Sequence, residues 1–385
     1  MKFAKNTQTH LKASHGGPYS IKNLNPRILD FSSNVNPLGF PSIVKKSLNL
    51  AKISIYPDHD STKLKQKLAK YLKISTDYIT VGNGATEIIY DFCRTTITKS
   101  KVLIAVPTFS EYESASHLCG ANLQFFITMD LTADLKKFIQ KIPRNGVVFL
   151  CNPNNPTGKL VPKHIVLQII KSAKAKSTIV FVDECFMELT VPQNQSIMDL
   201  VPRFENLFVL RSLTKSFGLA GLRLGYGVGS KDLVSILDRI KIPWSVNWIA
   251  QEAGIAALDD GAFLAKTQHL IKKESQFLIN SISGLDGFSC YDTDTNFILI
   301  KTKQPSKVLQ KKLLRQNILI RDCSNFRGLD NHHIRIAVRT HKEIKNLSQH
   351  WSTHHEINND SGNCLRCRKD NDCCSTMQDL IQSGL

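Results

Sequence analysis

Residues 212–226 read S-L-T-K-S-F-G-L-A-G-L-R-L-G-Y, and Lys215 among them is the side chain best suited to covalent chemistry. An amine held against a carbonyl and kept out of bulk water condenses with it, dividing one difficult step into two easier ones. The hydroxyls of Ser212 and Thr214 flank this lysine, and the guanidinium of Arg223 follows. Hydroxyls with a fixed cation suit a phosphate, and pyridoxal phosphate is the usual carbonyl partner of such a lysine. For T-K-S taken alone, a surface lysine ahead of a glycine-rich turn is the competing reading.

Four further stretches offer groups such a cofactor needs. V-G-N-G-A-T-E-I-I at 81–89 is a strand end passing through glycines into a helix start, where free N–H groups and the positive helix end suit an anion. Gly84, Ala85 and Thr86 are the expected cradle, with an ordinary helix cap as the alternative. P-T-F-S-E-Y at 107–112 puts Phe109 just past a strand, where its ring can lie on a pyridine face. N-P-N-N-P-T-G at 152–158 is a rigid turn offering the Asn155 side chain to the cofactor's ring hydroxyl. V-D-E-C-F-M-E at 182–188 sets Asp183 at a strand end. A carboxylate there favours the protonated pyridine nitrogen and makes the ring an electron sink, while a helix cap is the plainer role.

These groups need a scaffold that gathers strand ends. Short apolar runs at 102–106, 147–151, 179–182 and 207–210, separated by helical or loop-like segments, predict an α/β fold with a mostly parallel sheet covered on both faces. Ligands collect at the carboxyl ends of such strands. Residues 62–71 have the spacing of an amphipathic helix. From about residue 272 the texture changes, and N-F-I-L-I at 296–300 with I-R-I-A-V at 334–338 read as strands of a small α+β domain. The N-terminal arm, with H-G-G-P-Y-S at 15–20 and I-L-D-F-S-S-N-V-N-P-L-G-F-P at 28–41, is expected to be extended and to pack with that domain. The expected divisions are an arm at 1–41, a large domain at 42–271, a small domain at 272–350 and a Cys-rich tail at 351–385. Arg321, Arg335 and Arg339 belong to the small domain. A buried arginine is costly unless an anion meets it, and its planar fork suits carboxylate and phosphate. Structural ion pairs are the alternative for all three.

The formal net charge of +18 on 385 residues raises nucleic acid, an acidic membrane surface or an anionic substrate as partners. The lysines are scattered, without a dense block or interleaved aromatics, so the charge reads as a solvated surface biased toward anions and not as a nucleic-acid site. M-K-F-A-K-N-T-Q-T-H lacks an apolar h-region and no run reaches membrane-spanning length, so a soluble, cytoplasmic protein is expected. Of ten cysteines, six are spread singly, among them Cys151 and Cys185, and are expected as buried thiols. The others, Cys364, Cys367, Cys373 and Cys374, read as a zinc or iron site in which His354 or His355 could replace one thiol. A redox-labile tail without metal is the alternative.

The ordered set N-P-N-N-P-T-G, D-E-C-F and S-L-T-K-S-F-G-L-A-G-L-R-L-G-Y resembles the fold type I pyridoxal-phosphate enzymes, the aspartate aminotransferase superfamily, over about residues 10–350. The resemblance implies a large domain on a mostly parallel sheet, a small α+β domain and a homodimer in which Tyr56 crosses to the neighbour's cofactor phosphate. Within the superfamily the chain is similar to two families handling phosphorylated amino compounds, the histidinol-phosphate aminotransferases and the threonine-phosphate decarboxylases of the cobalamin pathway. H-G-G and D-F-S-S-N-V-N-P-L-G in the arm, I-L-I-R-D-C-S-N-F, and Phe186 where the aminotransferases usually carry tyrosine favour the decarboxylases. That likeness implies loss of carbon dioxide from L-threonine O-3-phosphate to give (R)-1-amino-2-propanol O-2-phosphate. Arg321 and Arg335, helped by His15 and Asn34, are then the expected substrate anchors. Holding the carboxylate bond perpendicular to the ring selects decarboxylation over transamination. A basic, metal-tailed binding protein on an inactive enzyme fold is the reading from another class, against which Lys215, Asp183 and Arg223 all speak.

Overall fold

The computed structural model describes residues 5–10, 12–21, 25, 27–190 and 194–360. Its larger sheet has seven strands: β1 (Ile79–Asn83), β2 (Lys101–Val106), β3 (Asn122–Ile127), β4 (Val147–Cys151), β5 (Ile179–Asp183), β6 (Leu207–Ser212) and β7 (Leu224–Val228). They are hydrogen-bonded in the order β1-β7-β6-β5-β4-β2-β3. β7 runs antiparallel to both its neighbours, and the other pairings are parallel. The expected mostly parallel α/β sheet is therefore present. The interior strands read as unbroken apolar runs because both faces are covered, and β6 is buried at every residue through Arg211 and Ser212. The helix expected at 62–71 is Thr62–Leu72, with Leu64 and Leu68 buried one turn apart.

A second sheet contains β8 (Phe288–Cys290), β9 (Phe297–Thr302), β10 (Arg321–Asp322) and β11 (His333–Ala337), antiparallel in the order β10-β11-β9-β8. A 23-residue helix, Gly261–Ser283, ties the two sheets together, with Phe263 and Ile271 in the core of the larger and Leu278 and Ile282 in that of the smaller. The arm joins the smaller sheet's side of the molecule. Leu29–Asp30 pairs in parallel with Ile318–Leu319, and Phe31 is buried among the isoleucines of that core. The arm then crosses to the lysine segment, where Asn36 donates to the Ser216 carbonyl at 2.7 Å. Gly218, at φ +66°, allows this approach: a Cβ there would stand 1.9 Å from the Gly39 carbonyl oxygen.

The helix His341–Asp360 carries the chain past residue 351, where composition placed the start of the tail. Ile344, Leu347 and Trp351 form one apolar stripe, and the Trp351 ring, 2% exposed, packs 5.3 Å from Phe288. A boundary drawn where charge and polarity rise cuts off the last residue of that stripe. The tail cysteines Cys364, Cys367, Cys373 and Cys374 lie outside the described residues. The other six are free thiols. No helix among the described residues is long and apolar enough to cross a membrane.

Candidate active site

A cavity of about 520 Å³ opens where β4, β5 and β6 end, bounded by the arm and the smaller sheet. Ser212 closes β6, and its Oγ accepts from the Thr214 N–H at 3.2 Å, capping the single turn Leu213–Ser216. That turn delivers Lys215 to the cavity, with Nζ 5.8 Å from the Phe186 ring centre. Burial, reinforced by the charge of Arg335, pushes the Lys215 amine down to about 8. A nucleophilic free amine is thereby available near neutral pH.

Asp183 is the last residue of β5, buried, between Cys151 of β4 and Leu210 of β6 by register. Its Oδ2 accepts from the Tyr112 hydroxyl at 2.6 Å and its Oδ1 from the Cys185 N–H at 2.9 Å. Burial raises its pKa against the lowering effect of these bonds and of Lys215. No salt-bridge partner reaches this carboxylate among the described residues, so a cationic ring nitrogen would fit it. Tyr112, which the sequence reading passed over, is held by stacking on Phe149 at 5.2 Å. Its signal was a second aromatic three residues after Phe109, and the two rings meet edge-on, 5.7 Å apart.

Gly84, at φ +82°, follows β1, and the helix Ala85–Thr96 begins immediately after it. A Cβ on Gly84 would lie 2.5 Å from the Arg223 guanidinium, so only glycine leaves that cation over the helix start. Ala85, Thr86, Ser212, Thr214 and Arg223 all border the cavity. The Thr214 Oγ1 is buried without a hydrogen-bond partner among the described residues. Helix-start amides, an unsatisfied hydroxyl and an arginine fit the phosphate of pyridoxal phosphate. With a depressed lysine and a buried carboxylate on the same cavity, the residues present fit the whole cofactor. Phe109 borders the cavity from the β2 side.

On the opposite wall Arg335, in β11, donates to the Ser32 carbonyl at 2.9 Å and to Asn155 Oδ1, and its Nε has no partner among the described residues. Burial pushes its guanidinium down to about 10. Arg321, in β10, donates to the Ser14 carbonyl at 2.8 Å and to Asn325 at 3.2 Å. Neither meets a carboxylate among the described residues, whereas Arg339 pairs with Glu343 at 2.9 Å. Structural pairing thus accounts for one of the three arginines. His15 and Asn34 bring the arm to the cavity, and the Asn34 Oδ1 is buried without a partner among the described residues. Tyr56 lies elsewhere, 78% exposed, with its ring 4.9 Å from Trp244. Among the described residues no cluster of His, Cys, Asp or Glu could hold a metal ion.

The family described as aminotransferase class I and II matches residues 26–350. A putative threonine-phosphate decarboxylase of Caldanaerobacter subterraneus subsp. tengcongensis is 36% identical over 334 residues, 86% of this chain and 90% of its own. A histidinol-phosphate aminotransferase of the same organism is 33% identical over 328 residues, 83% of this chain and 91% of its own. The crystal structure of histidinol-phosphate aminotransferase from Sinorhizobium meliloti with pyridoxal-5'-phosphate has a TM-score of 0.81 at 21% identity, covering 92% of this chain and 98% of that one, a likeness of fold. The reversed strand beside Lys215, the residues lining the cavity and these matches agree, and the chain belongs to the aminotransferase class I and II family of fold type I, pyridoxal-phosphate-dependent enzymes.

Proposed function

We propose that this enzyme decarboxylates L-threonine O-3-phosphate to (R)-1-amino-2-propanol O-2-phosphate, the reaction of cobalamin biosynthesis. The observation carrying this reading is the pair Arg321 and Arg335, buried on one cavity wall with no carboxylate among the described residues. Threonine phosphate brings two anionic groups to two such arginines at once. Because 2-oxoglutarate would also bring two, the choice of decarboxylation over transamination rests on the arm from His15 to Pro41, the segment around Arg321 and Phe186. Phe186, packed edge-on against Phe297 at 5.0 Å, gives the cofactor's ring oxygen no hydroxyl, as in the decarboxylase reading.

Pyridoxal phosphate, when bound, supplies an electron sink for charge developing at the substrate's Cα. Lys215 would hold the cofactor through its amine, and that same amine would be placed to return a proton to the substrate's Cα. Asp183 keeps the ring nitrogen protonated, and Tyr112 holds Asp183. Gly84, Ala85, Thr86, Ser212, Thr214 and Arg223 bind the cofactor phosphate, Phe109 covers the ring and Asn155 meets the ring hydroxyl. Arg321 and Arg335, with His15 and Asn34, would orient the substrate, and holding its carboxylate bond in line with the cofactor's electron sink would favour loss of carbon dioxide over loss of the Cα proton. Tyr56 reaches the phosphate of a second copy, making the homodimer the working form; its exposure beside Trp244 and Ile55 supports this.

Histidinol-phosphate aminotransferase is the second reading, favoured by the 33% identical relative of that name. The test is direct: threonine phosphate should release carbon dioxide without a keto acid, and histidinol phosphate with 2-oxoglutarate should yield little glutamate. The opposite pair of results would reassign the reaction while leaving the cofactor residues in place.

A further inference from the structure

The loop at 324–329, between β10 and β11, is fastened to the smaller domain at both ends. Ser324 gives its N–H and its hydroxyl to Asp322, each at 2.9 Å. Asp330 accepts from the His332 N–H at 2.9 Å and lies 2.7 Å from Nδ1 of His333. The middle of the loop leaves that domain. Arg327 donates two bonds to the Glu113 carboxylate, from Nε at 3.0 Å and from Nη2 at 2.6 Å, and Glu113 belongs to the helix Glu111–Leu118 of the larger domain. The guanidinium carbon also stands 4.0 Å from the centre of the Phe125 ring on β3. Among the described residues these are the loop's only hydrogen bonds to the larger domain.

Packing does little to hold the loop in this position. Its backbone touches the larger domain at Gly328, where a Cβ would stand 3.4 Å from the Pro107 nitrogen. Otherwise it spans a second cavity of about 480 Å³, bordered by Ile104 and Val106 on the sheet side and by Ser324 and Leu329 on the loop side. A void of that size gives the loop no partner atoms beneath it. Phe109 and Phe326 border both this cavity and the one holding Lys215.

What the loop carries is the setting of Arg321. Asn325 accepts from the Arg321 guanidinium at 3.2 Å, and the Phe326 ring centre lies 5.4 Å from it. Phe326 is buried with Leu299 and Cys323 and borders the active cavity beside Arg321. A single bond between exposed charges holds a loop weakly, but two parallel bonds from a planar fork, with a ring against the guanidinium, fix direction as well as distance. We propose that Arg327 is a positioning residue for substrate binding: clasped to Glu113, it holds the loop across the domain boundary, and the loop, through Asn325 and Phe326, aims Arg321 into the cavity. This role rests on Arg321 meeting a substrate anion, as proposed above. Arg327 itself borders the second cavity and not the first, so it acts through Arg321.

The test uses the cofactor-loaded enzyme at one fixed pH, with threonine phosphate as substrate. The binding probe, followed by calorimetry, is 3-phosphonopropionate, which carries a phosphonate and a carboxylate but no amine to react. Arg327→Met should raise the KM and weaken the probe about fivefold, with kcat within about twofold and the visible spectrum of the bound cofactor unchanged. Glu113→Gln should do the same, and the two together should be no worse than Arg327→Met alone. Arg327→Lys, which keeps the charge without the fork, should recover part of the loss. The deciding comparison is made on Arg321→Met, where adding Arg327→Met should cost nothing further in kcat/KM or in probe affinity. A full additional loss there, or an unchanged probe affinity in Arg327→Met, would overturn the proposal. So would a fall in kcat and in cofactor retention as large as the rise in KM, the mark of general loosening. If Arg327→Met does not fold, Glu113→Gln decides by the same comparison on Arg321→Met. Should threonine phosphate not react, the function reading falls, while the probe affinities still judge Arg327.

Discussion

Two places in this molecule bury arginine, and they are furnished in opposite ways. On β6, Arg211 meets Glu184 at 2.8 Å, Glu188 at 3.1 Å and the Ser196 hydroxyl at 2.8 Å. Burial works against its charge, but Glu184 and Glu188 more than compensate, and it holds its proton more tightly than usual. On the cavity wall, Arg321 and Arg335 are given only neutral acceptors, two backbone carbonyls and two asparagine side chains. Arg335 is correspondingly less basic than usual. The arginine inside the larger domain comes with its own carboxylates; the two on the cavity wall are left short of them.

The contrast breaks first at Arg211. Arg211→Met strands two buried carboxylates, and the urea unfolding midpoint should fall by the equivalent of about 3–5 kcal/mol. A wild-type midpoint would show that the pairing does not brace the fold. Asp183 is the carboxylate counterpart of the unpaired arginines. Asp183→Asn should fold and take up cofactor, yet turn over at least about 100-fold more slowly, because a neutral amide supports a ring cation poorly. Turnover near wild type would remove Asp183 from the chemistry. Arg335→Met should cost about 10–100-fold in kcat/KM, the worth of a charged hydrogen bond, while leaving the unfolding midpoint unchanged or higher. If it loses stability as Arg211→Met does, the two sites are of one kind.

The smallest effect is a pH dependence. With Lys215 pushed down to about 8, covalent uptake of pyridoxal phosphate by the cofactor-free protein should rise about tenfold from pH 7 to 9 and then level off. An exposed lysine would keep gaining toward its ordinary pKa. Stability of the cofactor-free protein should also rise across this window. Above 8 the folded lysine has released its proton while the unfolded one keeps it up to about 10.4, so the unfolded state binds more protons. A flat uptake rate across this range would contradict the depressed amine.

The parts of the site legible in the sequence are those tied to a strand end by a few neighbouring residues. Lys215, Asp183 and Gly84 each follow an apolar run by one to a few positions, and pattern reaches that far. Tyr112 stood within a quoted motif and Glu113 just past it, but their partners are 71 and 214 residues away, and no local pattern names them. The two kinds of arginine look alike in one dimension for the same reason: V-L-R-S and I-R-I-A-V are both apolar strands, and only packing shows which one has carboxylates waiting. Helical spacing from Ile344 would have kept Trp351 with the fold, where a change in polarity assigned it to the tail.

The pairing of the arm with Ile318–Leu319, and the bond from Arg335 to the Ser32 carbonyl across 303 residues, also set an order of events during synthesis. The arm leaves the ribosome before the larger sheet exists, but its partners emerge only after that sheet is complete. One wall of the cavity is therefore the last to form. A chain arrested after residue 290 would lack Arg321, Arg335 and the strands that carry them, and so that whole wall of the cavity.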